Sequence, residues 1–308
     1  MPAHVSCPHC RVACLIGEQH LGLAVRCHRC KQAFTTRVVP APSAGSASVR
    51  LDIGAATSRG KVRDRNEDSF LIQRSCWCNK DQRHEAALLV VADGMGGHQS
   101  GDRASGLVMR TMGRVLNPLL DGYLSGQFEK ASPADLTNAI DVAIKESNRV
   151  VRRASGTAKG RNVMGCAVGM GLVWDGSVFI GHVGDCRAYH QRGGKLAQIT
   201  TDQTLVMRMV ELGQLSLKEA KTHKARTEVT QAIGLRAELK PARHQLTLAR
   251  NDWLLIACDG LHTHVEDDKI QDVVRRSGAA TQLAEHLVDL AEKGGGSDNI
   301  TVIAVRCY

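Results

Sequence analysis

Strand patterns and helix patterns come in blocks along this chain, and that ordering constrains its fold more than any other feature. Leu51 to Ala56, Phe70 to Gln73 and Ala86 to Ala92 carry the short apolar runs of strands. Two long amphipathic helices follow. Leu107, Val108, Met112, Val115, Leu116 and Leu119 recur at three- and four-residue spacings, as do Leu136, Ile140, Ile144, Val150 and Val151 behind the start signal Ser132-Pro133. A second block of strands covers Cys166 to Trp174, Ser177 to Val183, Arg187 to His190 and Leu196 to Ile199, with Asp175-Gly176 and Gly193-Gly194 suited to tight hairpins. Helical pattern returns from Thr204 to Leu212, strands at Ala242 to Leu248 and Trp253 to Cys258, helices over 265–276 and 280–293, and a last strand at Ile300 to Arg306. Strict alternation would call for a doubly wound parallel sheet. Blocks of hairpin-joined strands separated by helix pairs call for an α+β fold of antiparallel sheets covered by helices.

A stretch of Pro, Ala, Ser and Gly from Pro40 to Ser48 can bury little and reads as a tether. It sets the expected organisation: a zinc ribbon over 1–38, a flexible linker over 39–49 and a larger body over 50–308. In the head, Cys7 and Cys10 form one CxxC and Cys27 and Cys30 another, sixteen residues apart. That spacing suits one structural Zn2+ held by four thiolates, whose binding would supply the folding energy that so small a head lacks. Two redox CxxC pairs are the rival reading, without the strand and helix context such pairs need. His9, Cys14 and His28 are spare ligands. The remaining cysteines, Cys76, Cys78, Cys166, Cys186, Cys258 and Cys307, show no disulfide framework and read as reduced thiols.

The net charge is +9, but the basic residues are spread along the chain, as on a solvated surface. No run of eighteen apolar residues and no leader pattern appears, so no membrane partner is expected and the cytoplasm is the expected location.

Acids stand where strands meet glycines. Asp93 in VVADGMGG and Asp259 in IACDG each follow an apolar run and precede a glycine, and Asp185 in HVGDCR and Asp298 in GGGSDNIT lie beside glycines at strand edges. Singly, such an aspartate is a turn or cap residue. Together, converging carboxylates without His or Cys favour hard cations, Mg2+ or Mn2+. A phosphate-cradling loop fails on spacing, because Gly94, Gly96 and Gly97 do not form GxGxxG. Gly94 would instead let a backbone carbonyl approach an ion. Upstream, Arg63 lies in one turn with Glu67 and Asp68, a planar cation suited to phosphate beside two acids.

Arg63 to Asp68 (RDRNED), ADGMGG, GDCR, TTDQTLV, TQAIG, CDGL and SDNIT occur in this order. Together they resemble the bacterial branch of the metal-dependent serine/threonine protein phosphatases, the PPM or type 2C family, over about 50 to 305. The resemblance implies a four-layer α-β-β-α sandwich of two antiparallel sheets flanked by helix pairs. It implies that Asp93 bridges two Mn2+ or Mg2+ ions, that the Gly94 carbonyl joins one, and that Asp259 and Asp298 complete the other. Glu67 and Asp68 would hold metal waters, Asp185 with Asp259 a third, weaker ion, and Arg63 the phosphoryl oxygens. The implied substrates are phosphoproteins, in opposition to bacterial Ser/Thr kinases. The head resembles a short bacterial zinc ribbon, expected to recognise or tether a protein or nucleic-acid target.

The chain departs from the family pattern at Cys186 and Gln203, where Ser and His are common, and at Met95, where animal relatives carry a histidine proposed as general acid. His98 or a metal-bound water could protonate the leaving oxygen. Cys186 and Cys258 are expected to pack rather than react, and His262 and His264 to face solvent. The segment 207–228 corresponds to a flap beside the site, and its Lys218, Lys221, Lys224 and Arg226 would favour acidic phosphopeptides. Two other readings stand beside the enzyme. One is a phosphatase-like scaffold, opposed by the presence of all the metal acids. The other is nucleic-acid binding by the head, whose Arg11, Arg26, Arg29, Lys31 and Arg37 outnumber Glu18.

Overall fold

The computed structural model describes residues 3–6, 13–16, 24–27, 31–35, 49–79, 82–96, 100–124, 131–156 and 164–308. The chain divides into two units, Met1–Ser46 and Ala47–Tyr308. In the first, β1 (Ala3–Ser6) pairs antiparallel with β2 (Ala13–Ile16), and β3 (Ala24–Arg26) with β4 (Ala33–Thr35). Cys27 follows β3 and is buried. Cys7, Cys10 and Cys30 lie outside the described residues, as do His9, His28, His98 and the Pro40 to Ser48 tether.

The second unit begins with β5 (Leu51–Ser58), β6 (Asp68–Asn79) and β7 (Gln82–Met95), then α1 (Gly101–Leu124) and α2 (Pro133–Ser155). Ser132 caps α2 in a reciprocal pair with Asp135, and Pro133 opens the first turn, as the start signal predicts. Then come β8 (Gly165–Trp174), β9 (Ser177–Val183), β10 (Arg187–Arg192), β11 (Lys195–Gln198), α3 (Leu205–Glu211) and α4 (Leu217–Thr222). The chain closes with β12 (Ala242–Thr247), β13 (Trp253–Ala257), α5 (Asp259–His262), α6 (Asp267–Arg276), α7 (Ala280–Lys293) and β14 (Ile300–Cys307).

The strands form two five-stranded antiparallel sheets, ordered β12-β9-β8-β7-β6 and β11-β10-β13-β14-β5. Strand periodicity assigns the layers. In β7, Leu88, Val90 and Ala92 join Val108, Met112 and Leu116 of α1 and Ile140 and Ile144 of α2 in one core. Ala87, Leu89 and Val91 point the other way and meet Leu254 and Ile256 of β13 and Ile303 and Val305 of β14 between the sheets. A third core packs Leu255, Val302 and Ala304 on Ile270, Leu283 and Leu287 of α6 and α7. The order of layers is therefore helices, sheet, sheet, helices.

At the end of the inter-sheet layer remote from residues 93 and 298, buried Asp252 ties the β12–β13 loop. It accepts from Arg192 Nη2 (2.6 Å), His190 Nε2 (3.0 Å) and the Ala249 N–H (2.8 Å). Burial opposes its charge, but these donors hold its pKa down at about 2. A carboxylate depressed on folding stabilises the fold above its unfolded pKa of ~3.9 and loses that contribution as pH falls through the folded value. The contribution is about 2–3 kcal/mol at neutral pH. Acid titration of stability should therefore show Asp252→Asn less stable than wild type at pH 7, with the gap closing between pH ~4 and ~2; a gap independent of pH would contradict it.

Candidate metal centre

The row Ala87, Leu89, Val91 continues to Asp93, so the apolar layer between the sheets ends in a carboxylate. Asp93 lies inside β7, with Asp68 of β6 directly opposite it in register and Ala167 of β8 on its other side. It does not end its strand, as the sequence pattern suggests, because β7 continues pairing with β8 through Met95. Directly opposed positions bring Cβ atoms to about 5 Å, a destabilising arrangement for two bare carboxylates. One Asp68 oxygen, Oδ2, accepts from Thr301 Oγ1 at 2.7 Å. The other, Oδ1, is buried with no partner among the described residues.

Asp259 joins them as the first residue of α5, separated from β13 by Cys258, its carboxyl close to that of Asp93. Asp298 precedes β14 and accepts from Arg63 Nη2 at 2.6 Å. Asp185 is buried in the β9–β10 turn. Burial, reinforced by neighbouring acids, pushes Asp68 up to about 7 and Asp259 up to about 6. The same causes push Asp93 and Asp185 upward. A pocket that makes its carboxylates repel one another is one that a multivalent cation would neutralise. The facing donors are nearly all oxygen, and one is an orphaned buried oxygen, so the residues fit a hard divalent ion.

Backbone packing explains the glycine after Asp93. A Cβ on Gly94 would stand 2.2 Å from the Gly101 carbonyl oxygen and 2.5 Å from that of Glu67. The bare backbone lets the N-terminus of α1 close on the strand, a reason separate from access to an ion. Glu67 sits at that N-terminus, its carboxylate accepting the Gly101 N–H, and burial beside Asp102 raises its pKa.

Sequence reasoning assigned no site role to Asn299, yet it fastens the loop that carries Arg63 and Glu67. Its Nδ2 donates to the carbonyls of Arg59 (2.9 Å) and Arg65 (2.8 Å), and its Oδ1 accepts the Glu67 N–H (2.8 Å). Asn299 lies within the SDNIT motif, which was the available signal. Replacing it with Ala removes the partner of three partly buried backbone groups, a cost of about 1–3 kcal/mol. Asn299→Ala should lower the melting temperature and raise KM for a phosphopeptide; unchanged values of both would contradict the role.

Around Asp185, Arg187 grips Asp202 through two hydrogen bonds, Nε–Oδ1 at 2.9 Å and Nη2–Oδ2 at 2.8 Å. Gln203 accepts the Gly184 N–H at 2.9 Å through its side-chain oxygen, steadying the turn. His262 does not face solvent as expected. Its half-buried ring places Nε2 3.1 Å from the Asp185 carbonyl, and burial, with Arg187 nearby, pushes its pKa down to about 4, so the neutral ring donates. His264 is also partly buried, its Nε2 accepting the Ser297 N–H at 3.0 Å. Cys186 and Cys258 lie in the inter-sheet core, and burial raises both thiols. In the 207–228 segment, Lys221 is paired with Glu266 at 2.5 Å, while Lys218, Lys224 and Arg226 are exposed.

Comparisons with known proteins meet this geometry. The family profile described as protein phosphatase 2C matches residues 57–292. The serine/threonine phosphatase stp of Listeria welshimeri is 27% identical over 250 residues, covering 81% of this chain and 93% of the relative. A solved neighbour, the S. agalactiae serine/threonine phosphatase, superposes with a TM-score of 0.69 at 28% identity, covering 83% of this chain and 99% of that one. The catalytic domain of the phosphatase PstP, solved with two manganese ions, gives a TM-score of 0.66 at 29% identity over 84% of this chain and 98% of that one. Fold, site and relatives agree on the class: an enzyme, a protein serine/threonine phosphatase. With most of its length inside the profile, the chain belongs to the protein phosphatase 2C family, whose enzymes use Mn2+ or Mg2+.

Proposed function

We propose that this chain hydrolyses phosphoserine and phosphothreonine in proteins, reversing Ser/Thr kinases, at a centre formed by Glu67, Asp68, Asp93, the Gly94 carbonyl, Asp185, Asp259 and Asp298. The observation that carries this is the Asp68–Asp93 pair, half-buried and opposed across two strands, with Asp68 Oδ1 buried and unpartnered among the described residues. In this reading Asp93, the Gly94 carbonyl, Asp259 and Asp298 would hold two Mn2+ or Mg2+ ions, with Glu67 and Asp68 supporting them and Asp185 with Asp259 offering a place for a third. When bound, such ions lower the pKa of a water and neutralise charge on the phosphoryl oxygens.

The chain's own residues do the rest. Arg63, half exposed at 52% and anchored on Asp298, offers its guanidinium to the phosphoryl oxygens at the mouth of the site. Asn299 holds the Arg63 loop in place, and the rigid sheet edge fixes the acids before substrate arrives, so little reorganisation is needed. With water as nucleophile, no thiol is required. The head, with Cys7, Cys10, Cys27 and Cys30 as ligands of one structural Zn2+, would serve to tether or recognise a target, and the enzyme would act in the cytoplasm; among the described residues no helix is long and apolar enough to cross a membrane.

A phosphothreonine peptide assay with Mn2+, and again with EDTA, tests the reading: turnover that survives EDTA would overturn it. The exposed Lys218, Lys224 and Arg226 support a preference for acidic phosphopeptides, with Lys221 already neutralised by Glu266. Changing Lys218 and Lys224 together to Glu should reduce the kcat/KM ratio of acidic over basic peptides by about 10-fold. An unchanged ranking would reject the preference.

A further inference from the structure

One donor beside the carboxylates is not oxygen. An oxygen of Asp68, an oxygen of Asp93 and the Cys258 sulfur all lie within 4.8 Å of one another. Three points that close share a centre within about 2.8 Å of each, so inward shifts of at most about 0.5–0.8 Å reach the ~2.3 Å of a zinc–sulfur bond and the ~2.0–2.2 Å of zinc–oxygen bonds. Cys258 is well placed to hold its sulfur there. It leaves β13 at the position that continues Leu254 and Ile256 toward the inter-sheet layer, and the Thr301 N–H donates to its Sγ at 3.0 Å. That same Thr301 fixes Asp68 through its hydroxyl, so one residue orients two of the three donors.

We propose that Asp68, Asp93 and Cys258 form a mixed oxygen and sulfur site for a thiophilic divalent cation, Zn2+ or Cd2+, which occupies the catalytic pocket in an inhibitory mode. This rests on the functional reading above, because the carboxylates are shared.

The chemistry separates the two kinds of ion. Mg2+ and Mn2+ take oxygen donors and leave the thiol protonated. Zn2+ and Cd2+ gain from thiolate, so on binding the Cys258 S–H bond breaks, its proton passes to solvent and the sulfur–metal bond forms with no change of oxidation state. An ion drawn toward the buried sulfur is held by Asp68 and Asp93 against Cys258, deeper than Asp298 and Arg63, which line the exposed side of the site. It would tie up two acids of the centre without presenting a water to the phosphoryl group.

The test uses the full chain and Cd2+ as probe. Phosphothreonine peptide turnover is followed in Mn2+ while Cd2+ is added, for wild type, Cys258→Ser and Cys258→Ala, each scaled to its own cadmium-free rate. In parallel, the ultraviolet Cd–thiolate absorption is recorded with and without excess Mn2+; absorption from cysteines elsewhere does not respond to Mn2+. The proposal expects a cadmium midpoint at least about 10-fold higher in both variants. It also expects a Cd–thiolate increment in wild type that excess Mn2+ suppresses and that the variants lack. Equal midpoints, or no manganese-sensitive increment in wild type, would overturn it, and the wild-type increment decides the matter if neither variant folds. Failure of Mn2+ to support turnover would instead count against the functional reading itself.

Discussion

Asp93→Asn should lower phosphopeptide turnover by about 1,000-fold or more while leaving a folded protein. The carboxylate is central in position as well as in charge. It faces Asp68 across the β6–β7 ladder and lies close enough to Asp259, Asp185 and Asp298 for all of them to raise its pKa after burial has done so. Asn has the same shape but brings no charge, so the backbone stays in register while the pocket loses attraction for a divalent ion. The free protein supplies a second readout. In EDTA the wild-type cluster stabilises nothing, because its acids repel, so Asp93→Asn should melt no lower than wild type there. In saturating Mn2+ the order should reverse, since an ion that binds the folded state of wild type adds stability that the variant cannot recover. Near wild-type turnover in the variant would remove Asp93 from the centre. A lower melting temperature in EDTA would mean that the substitution damages the fold rather than the chemistry.

Gly260→Ala should be among the most damaging single-methyl changes in this chain. An added Cβ would stand 1.9 Å from the Asn299 carbonyl oxygen and 2.9 Å from its carbon, and both neighbours are backbone. No side chain can swing aside, so either α5 or the 298–300 segment must move, at a cost of about 3 kcal/mol or more. Those two segments carry Asp259 and Asp298. Activity should therefore fall further than stability alone explains, and the loss should appear as weaker Mn2+ dependence even well below the melting temperature. Thermal melts with manganese titrations of turnover would check this, and an Ala variant with wild-type melting and wild-type Mn2+ response would contradict it.

Much of the fold was legible in local pattern. The helix rows of α1 and α2 and the Ser132-Pro133 start were read correctly because a helix exposes its 3.6-residue period in sequence. The turns at Asp175-Gly176 and Gly193-Gly194 were likewise local chemistry. Strand ends were read less well. β6 and β7 run on to Asn79 and back from Gln82 through residues such as Arg74, Arg83 and Glu85, whose polar side chains hid the ladder. Those charges are satisfied by one another, Arg74 and Arg83 both reaching Glu85, and that is a tertiary fact. The short helices α4 and α5 escaped notice because six and four residues are too few to display a period.

Within the site, the acids Asp68, Asp93, Asp185, Asp259 and Asp298 were identifiable as residue types suited to a shared cation, and the motif order supplied the grouping. What sequence determined by itself was therefore the inventory: which segments are strands and helices, which side of each is apolar, and which carboxylates stand at the ends of apolar rows. Only the tertiary structure decided the convergence. Asp68 and Asp93 face each other because of a ladder register, Thr301 reaches Asp68 across 233 positions of sequence, and Asn299 pins the Glu67 N–H across 232. It also decided that Cys258 shares a pocket with two of the acids and that His262 is turned inward on Asp185. The physical reason is the same in each case. Periodicity is a property of one segment, whereas register, burial and hydrogen-bond partners arise only when two segments distant in sequence are packed together.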